Sequence, residues 1–149
     1  MDKLLLGVAR EIITPEVGCQ LYGYRPDVFS TSVEDDLTAT AFYFKQGETE
    51  ALMISATVCS FRNELAQSIL ALIEEKYGIP KENIFLSATH THSGPNLTGN
   101  TGWGDIDQKY RDEIFVPSIL SVVKKAKENT QPVTMSFARG KSDVGINRR

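Results

Sequence analysis

The 149 residues, 41% hydrophobic and 23% charged, describe one globular domain large enough to bury a core, which excludes disordered and fibrous classes. A net charge of -3 and a pI near 5.4 exclude a nucleic-acid surface, which needs a basic stripe. Lys and Arg are scattered, apart from Lys124-Lys125-Ala126-Lys127, which suits a solvated helix end, and the closing Arg148-Arg149.

Residues 3 to 9 are apolar and β-prone and predict a first strand. The run Leu4-Leu5-Leu6 is too short for a signal h-region, and no stretch approaches the ~20 apolar residues of a membrane span. Taken as it stands, the chain reads as cytoplasmic. Thr14-Pro15 breaks the strand, and Leu21-Tyr22-Gly23-Tyr24-Arg25-Pro26 is a punctuated loop. Thr38 to Lys45 and Ala51 to Val58 predict a β-hairpin about the turn Gln46-Gly47-Glu48.

Leu65, Ile69, Leu72 and Ile73 recur at helical spacing opposite Glu64, Gln67, Ser68, Glu74 and Glu75, with Gly78 as stop and Pro80 beyond. Asn83 to Ala88 predicts a short buried strand, which makes a right-handed βαβ crossover. A Gly-rich loop runs from Thr89 to Gly104. A second helix over about Asp107 to Asn129 turns Ile114, Phe115, Ile119, Val122, Val123 and Ala126 inward, with Pro117 kinking or dividing it. A last strand covers Val133 to Ala138. The fold class is α/β, a mixed β-sheet with flanking helices. The final residues neither fade into a polar tail nor close a domain, so residues 1–149 read as an incomplete catalytic domain. Such a domain exposes apolar sheet faces that invite self-association.

Cys19 and Cys59 match no disulfide framework or CxxC motif and read as reduced apolar residues. Asn96-Leu97-Thr98 is a sequon without an export signal. Gly99 to Gly104 lacks the Gly-Lys-Ser/Thr of a phosphate loop; Trp103 within it lines a pocket or covers the core edge. Glu34-Asp35-Asp36 reads as a solvated turn rather than a ligand group.

The two histidines, His90 and His92, stand two apart at the end of a predicted strand. In extended backbone, residues i and i+2 point to one side, so both imidazoles can converge on one ion. A catalytic zinc takes three protein ligands and a water. The alternative is a surface or hydrogen-bonded histidine pair. Thr89, Thr91 and Ser93 offer hydroxyls that could orient the imidazoles, and Gly94-Pro95 turns the chain to leave the site on a cleft edge.

Ala88-Thr89-His90-Thr91-His92-Ser93-Gly94-Pro95 resembles the signature of the neutral/alkaline non-lysosomal ceramidases, zinc-dependent hydrolases of the N-acyl bond of ceramide. Gly7 to Pro15 resembles the family's opening strand and Thr-Pro turn; Leu21-Tyr22-Gly23-Tyr24 resembles its Gly-Tyr loop; Ile146-Asn147-Arg148 resembles the start of a later motif. The resemblance implies attack of metal-bound water on an amide of ceramide or a related lipid. It implies His90 as zinc ligand, His92 as a catalytic residue contacting substrate or attacking water, and Gly23 as a substrate-contacting backbone position. It also implies Arg148 as a catalytic, substrate-binding arginine that stabilises negative charge; the alternative is a solvated terminal arginine. The family's second His, Glu and Tyr ligands and its catalytic Ser fall downstream of the matched region. Thr57 stands near a family Asp, and Arg149 stands where a Ser usually follows the Asn-Arg pair. These departures leave open a different amide or ester substrate, or a non-catalytic module.

Overall fold

The computed structural model describes residues 2–142 and 144–145. Its five strands are β1 (Leu5–Ile12), β2 (Thr38–Gln46), β3 (Thr49–Ala56), β4 (Ile84–Ala88) and β5 (Thr130–Pro132), in sheet order β4-β3-β2-β1-β5. Only β3 and β4 are parallel, joined by α1 (Asn63–Tyr77); the other neighbours are antiparallel. The mixed sheet, the hairpin and the βαβ unit are therefore as the sequence implies. Gly78 ends α1 in the left-handed conformation, φ 71°, with its N–H on the Glu74 carbonyl.

The second helix is continuous in path but broken in register. A short α2 (Gln108–Tyr110) passes through a π-helical turn, Arg111–Phe115, into α3 (Val116–Glu128). In the π turn the Val116 N–H donates to the Arg111 carbonyl five residues back. The register change falls immediately before Pro117, which has no N–H to offer, so the proline divides the helix as expected. Asp107 caps α2, its side chain accepting from the Tyr110 N–H at 2.9 Å.

The predicted inward residues form the core: Ile69 and Ile73 of α1 and Phe115, Ile119, Val122, Val123 and Ala126 are all fully buried. They pack on Ala39, Ala41, Tyr43, Leu52, Ile54 and Ala56, which alternate along β2 and β3 onto one sheet face. At Gly7 a Cβ would come within 1.8 Å of the Ala126 carbonyl oxygen, so glycine is what lets α3 lie against β1.

Two expectations change. The last strand is Thr130–Pro132, not Val133 to Ala138. Pro132 pairs with Leu5, and the Val133 N–H donates to the Leu4 carbonyl, so later residues run past the start of β1 with nothing to pair. Met135 and Phe137 are accordingly exposed. Strand β4 is not buried either: it lies at the sheet edge with one face covered, and Phe85 is 60% exposed. Among the described residues no helix is long and apolar enough to cross a membrane.

Candidate metal and substrate site

The sheet delivers both histidines to the carboxyl end of the parallel pair β3/β4, where open α/β sheets usually bind ligands. Beyond β4 the chain stays tied to the exit of β3: the Thr89 N–H donates to the Ala56 carbonyl and the His90 N–H to that of Val58, each at 3.0 Å. Convergence of the imidazoles does not come from strand alternation, because the strand has already ended. His90 adopts φ 67°, the sole left-handed non-glycine conformation among the described residues. Such a backbone costs about 1–3 kcal/mol and persists where the surroundings impose it, commonly at functional sites.

The ring geometry fixes the chemistry. His90 Nδ1 lies 2.9 Å from the Cys59 carbonyl oxygen, a partner that can only accept, so Nδ1 carries the proton and Nε2 is left with a free lone pair. His92 Nε2 lies 3.4 Å from His90 Nε2, the rings meeting nearly edge to face. Without an ion, His92 Nε2–H is then the donor to His90. Zinc–nitrogen bonds of about 2.0–2.1 Å at a tetrahedral angle separate two ligand nitrogens by about 3.3 Å, so the pair has the spacing of two ligands on one ion.

Cys59, His90 and His92 place potential ligand atoms within 4.8 Å of one another. The thiol is the weakest of the three. Its sulfur is 3.6 Å from His90 Nδ1, the nitrogen already committed to the Cys59 carbonyl, and burial pushes its pKa up, favouring the neutral thiol. Cys59 therefore acts on the site through its carbonyl, which sets the His90 tautomer. The expected hydroxyls do not take that part. Thr91 Oγ1 accepts from the Ser93 N–H, and both residues line a cavity of about 610 Å³ with Thr14, Ser30 and Asp36.

The Gly-Tyr loop closes the other side of His92. The Tyr22 N–H donates to the Gly94 carbonyl and the Leu21 N–H to that of Val28, which presses the loop onto the Ser93-Gly94-Pro95 turn. Gly23, at φ 125°, lies so close that a Cβ would sit 2.4 Å from His92 Cγ. Tyr24 sets its ring edge-on to His92 at 4.8 Å, while remaining 73% exposed. The sequence motif marks Gly23, but nothing in it marks Tyr24 or the Cys59 carbonyl; their roles depend on contacts across the fold.

Behind the motif, buried Asn96 organises the Gly-rich loop. Its Oδ1 accepts from the Thr98 N–H, the Thr98 hydroxyl and the Gly99 N–H, and its amide donates to the Trp103 and Gly104 carbonyls. An asparagine so enclosed is closed to glycosylation in the folded chain. Trp103 packs on Tyr22, their ring centres 5.5 Å apart. Glu34, Asp35 and Asp36 are exposed, as a solvated turn should be, with Asp36 accepting from the Thr14 hydroxyl. Arg148, with Asn147 and Arg149, lies outside the described residues.

A profile of the neutral/alkaline non-lysosomal ceramidases, N-terminal region, matches residues 4–149. The chain is 27% identical over 150 residues to neutral ceramidase A of Dictyostelium discoideum, covering 93% of this chain and 21% of that protein. Neutral ceramidase B of the same organism is 28% identical over 121 residues, 74% of this chain and 17% of its own length. The crystal structure of the neutral ceramidase from Pseudomonas aeruginosa superposes with a TM-score of 0.76 at 23% identity, over 89% of this chain and 22% of that one. A ceramidase complexed with C2 gives 0.77 at 22% identity over the same shares. The chain spans about one fifth of the length of these relatives. Matched along nearly its whole length, the chain belongs to the neutral/alkaline non-lysosomal ceramidase family and corresponds to its N-terminal region.

Proposed function

We propose that the chain supplies the His90/His92 side of a zinc-dependent site that hydrolyses the N-acyl bond of ceramide or a related lipid amide. Family membership supports the reaction class. The observation that carries the metal assignment is the 3.4 Å separation of the two Nε2 atoms, reached through a strained His90 backbone and a Cys59 carbonyl that keeps the His90 Nε2 lone pair free.

His90 Nε2 would hold the zinc. A bound zinc lowers the pKa of water to near 7 and polarises a carbonyl. His92, held between Gly23 and Tyr24, can present Nε2–H to the acyl oxygen or to the water, or share the ion. Gly23 brings backbone to the edge of the site, where the amide would lie. Arg148 would offset negative charge developing on the acyl oxygen.

Two imidazoles and a neutral thiol fall short of three anionic or imidazole ligands, which favours a second reading: ion binding without turnover by these 149 residues. Zinc titration of the wild type, His90→Ala and His92→Ala, each followed by incubation with an N-acetyl sphingoid base, tests both. Zinc uptake lost in His90→Ala with release of acetate supports the hydrolase. Zinc uptake without release supports the module. Uptake unchanged by His90→Ala would sink the metal assignment.

A further inference from the structure

Both long helices pack on one face of the sheet, and the opposite face carries an apolar row instead of the polar surface a solvated antiparallel face normally shows. Val8 is paired with Phe42, Phe42 with Met53 and Met53 with Phe85, so these four side chains stand in line across β1, β2, β3 and β4. Val8 is 39%, Met53 46% and Phe85 60% exposed. Arg10 is the one formal charge that the strand pairing places on this face, and its Nε donates to Thr40 Oγ1 at 3.3 Å, which draws it along the sheet.

We propose that this face stacks against the same face of a second copy of the chain, forming a two-sheet sandwich. The dimensions set the strength. Four strands about 4.8 Å apart, rising about 3.3 Å per residue over eight residues, make a face of about 500 Å². Two such faces remove about 1,000 Å² from water, the lower limit for a specific interface. With no charge to bury against charge, a surface carrying one neutralised arginine suits its own image, and sheets packed about 10 Å apart interdigitate such rows. The interface is at threshold size, so the dimer is concentration-dependent, with a Kd on the order of micromolar.

Sedimentation equilibrium over roughly a hundredfold concentration range, spanning that Kd, tests the proposal. The expected result is a rise from the 16.5 kDa chain mass towards twice that value. Met53→Lys/Phe85→Lys should remain at 16.5 kDa throughout while keeping the wild-type circular dichroism spectrum. Val17→Lys, exposed but outside the sheet, should dimerise like the wild type. Should the double variant fail to fold, Phe85→Ser alone should weaken association at least tenfold. A wild type that stays monomeric throughout overturns the proposal. So does co-sedimentation of a monomer with phosphatidylcholine vesicles that Met53→Lys/Phe85→Lys abolishes, since the face would then meet lipid. Association that persists unchanged in the variants assigns the dimer to another surface.

Discussion

Gly23→Ala places a methyl group into His92. The added Cβ would lie 2.4 Å from Cγ, 2.5 Å from Cδ2 and 2.9 Å from Cβ of that residue, whereas carbon atoms meet comfortably at about 3.5–4.0 Å. Relief requires the ring to retreat by about 1 Å or more. That carries Nε2 away from its 3.4 Å position beside His90, beyond the reach of a shared ion. The backbone adds its own cost, because φ 125° is foreign to alanine and contributes about 1–3 kcal/mol. His92 is only half-buried, so ring displacement should absorb most of the overlap and the domain should still fold. Gly18→Ala separates the two effects: φ is 99° there and nothing lies within 4 Å of the added Cβ. Both variants should lose comparable stability, lowering Tm by a few degrees per kcal/mol. Only Gly23→Ala should weaken zinc binding, by at least tenfold, or about 1.4 kcal/mol. Isothermal titration with zinc, paired with thermal melts, reads both quantities. Equal zinc affinity in the two variants would refute the contact-based account of Gly23.

Gly7→Ala should destabilise by about 3 kcal/mol or more in urea unfolding, because its Cβ meets the Ala126 carbonyl at 1.8 Å and α3 must lift from β1. Asn96→Ala leaves three donors and two acceptors of the 96–104 loop without partners and should cost about 2–4 kcal/mol in the same assay. Acid should also loosen the helix layer. For Glu50, burial raises the pKa but Tyr43, Lys127 and Lys45 outweigh it; for Glu11, hydrogen bonds from Lys125 and Ser121 lower it. Both carboxyls are thus held below their ordinary value of 4.5. Their contribution is fully present above that value and is lost as pH falls through the folded pKa values. Lys127→Met should flatten the acid limb of the stability profile below pH 4.5.

Much of the sheet and both helix faces can be read from local pattern, because alternation along β2 and β3 and three-to-four spacing along α1 and α3 record which side each residue buries. The error at Val133–Ala138 arose because β-propensity says nothing about where the partner strand begins, and β1 begins at Leu5. The family motif marked His90, His92 and Gly23, but the stated route to convergence was wrong: a left-handed His90 brings the rings together. A single residue in that conformation leaves no trace in periodicity. The Cys59 carbonyl escapes any reading of side chains, since the contact that fixes the His90 tautomer is made by backbone 31 positions away.

The central claim is that His90 and His92 form one ion site through their Nε2 atoms. Nitrogen NMR of the imidazole rings during zinc titration tests it most directly. The account predicts that His90 Nε2 changes at one equivalent of zinc, that His92 responds in step, and that His90 Nδ1 stays protonated on the Cys59 carbonyl. Zinc that leaves His90 Nε2 unchanged, or that binds through His90 Nδ1 and the Cys59 thiol, would contradict it.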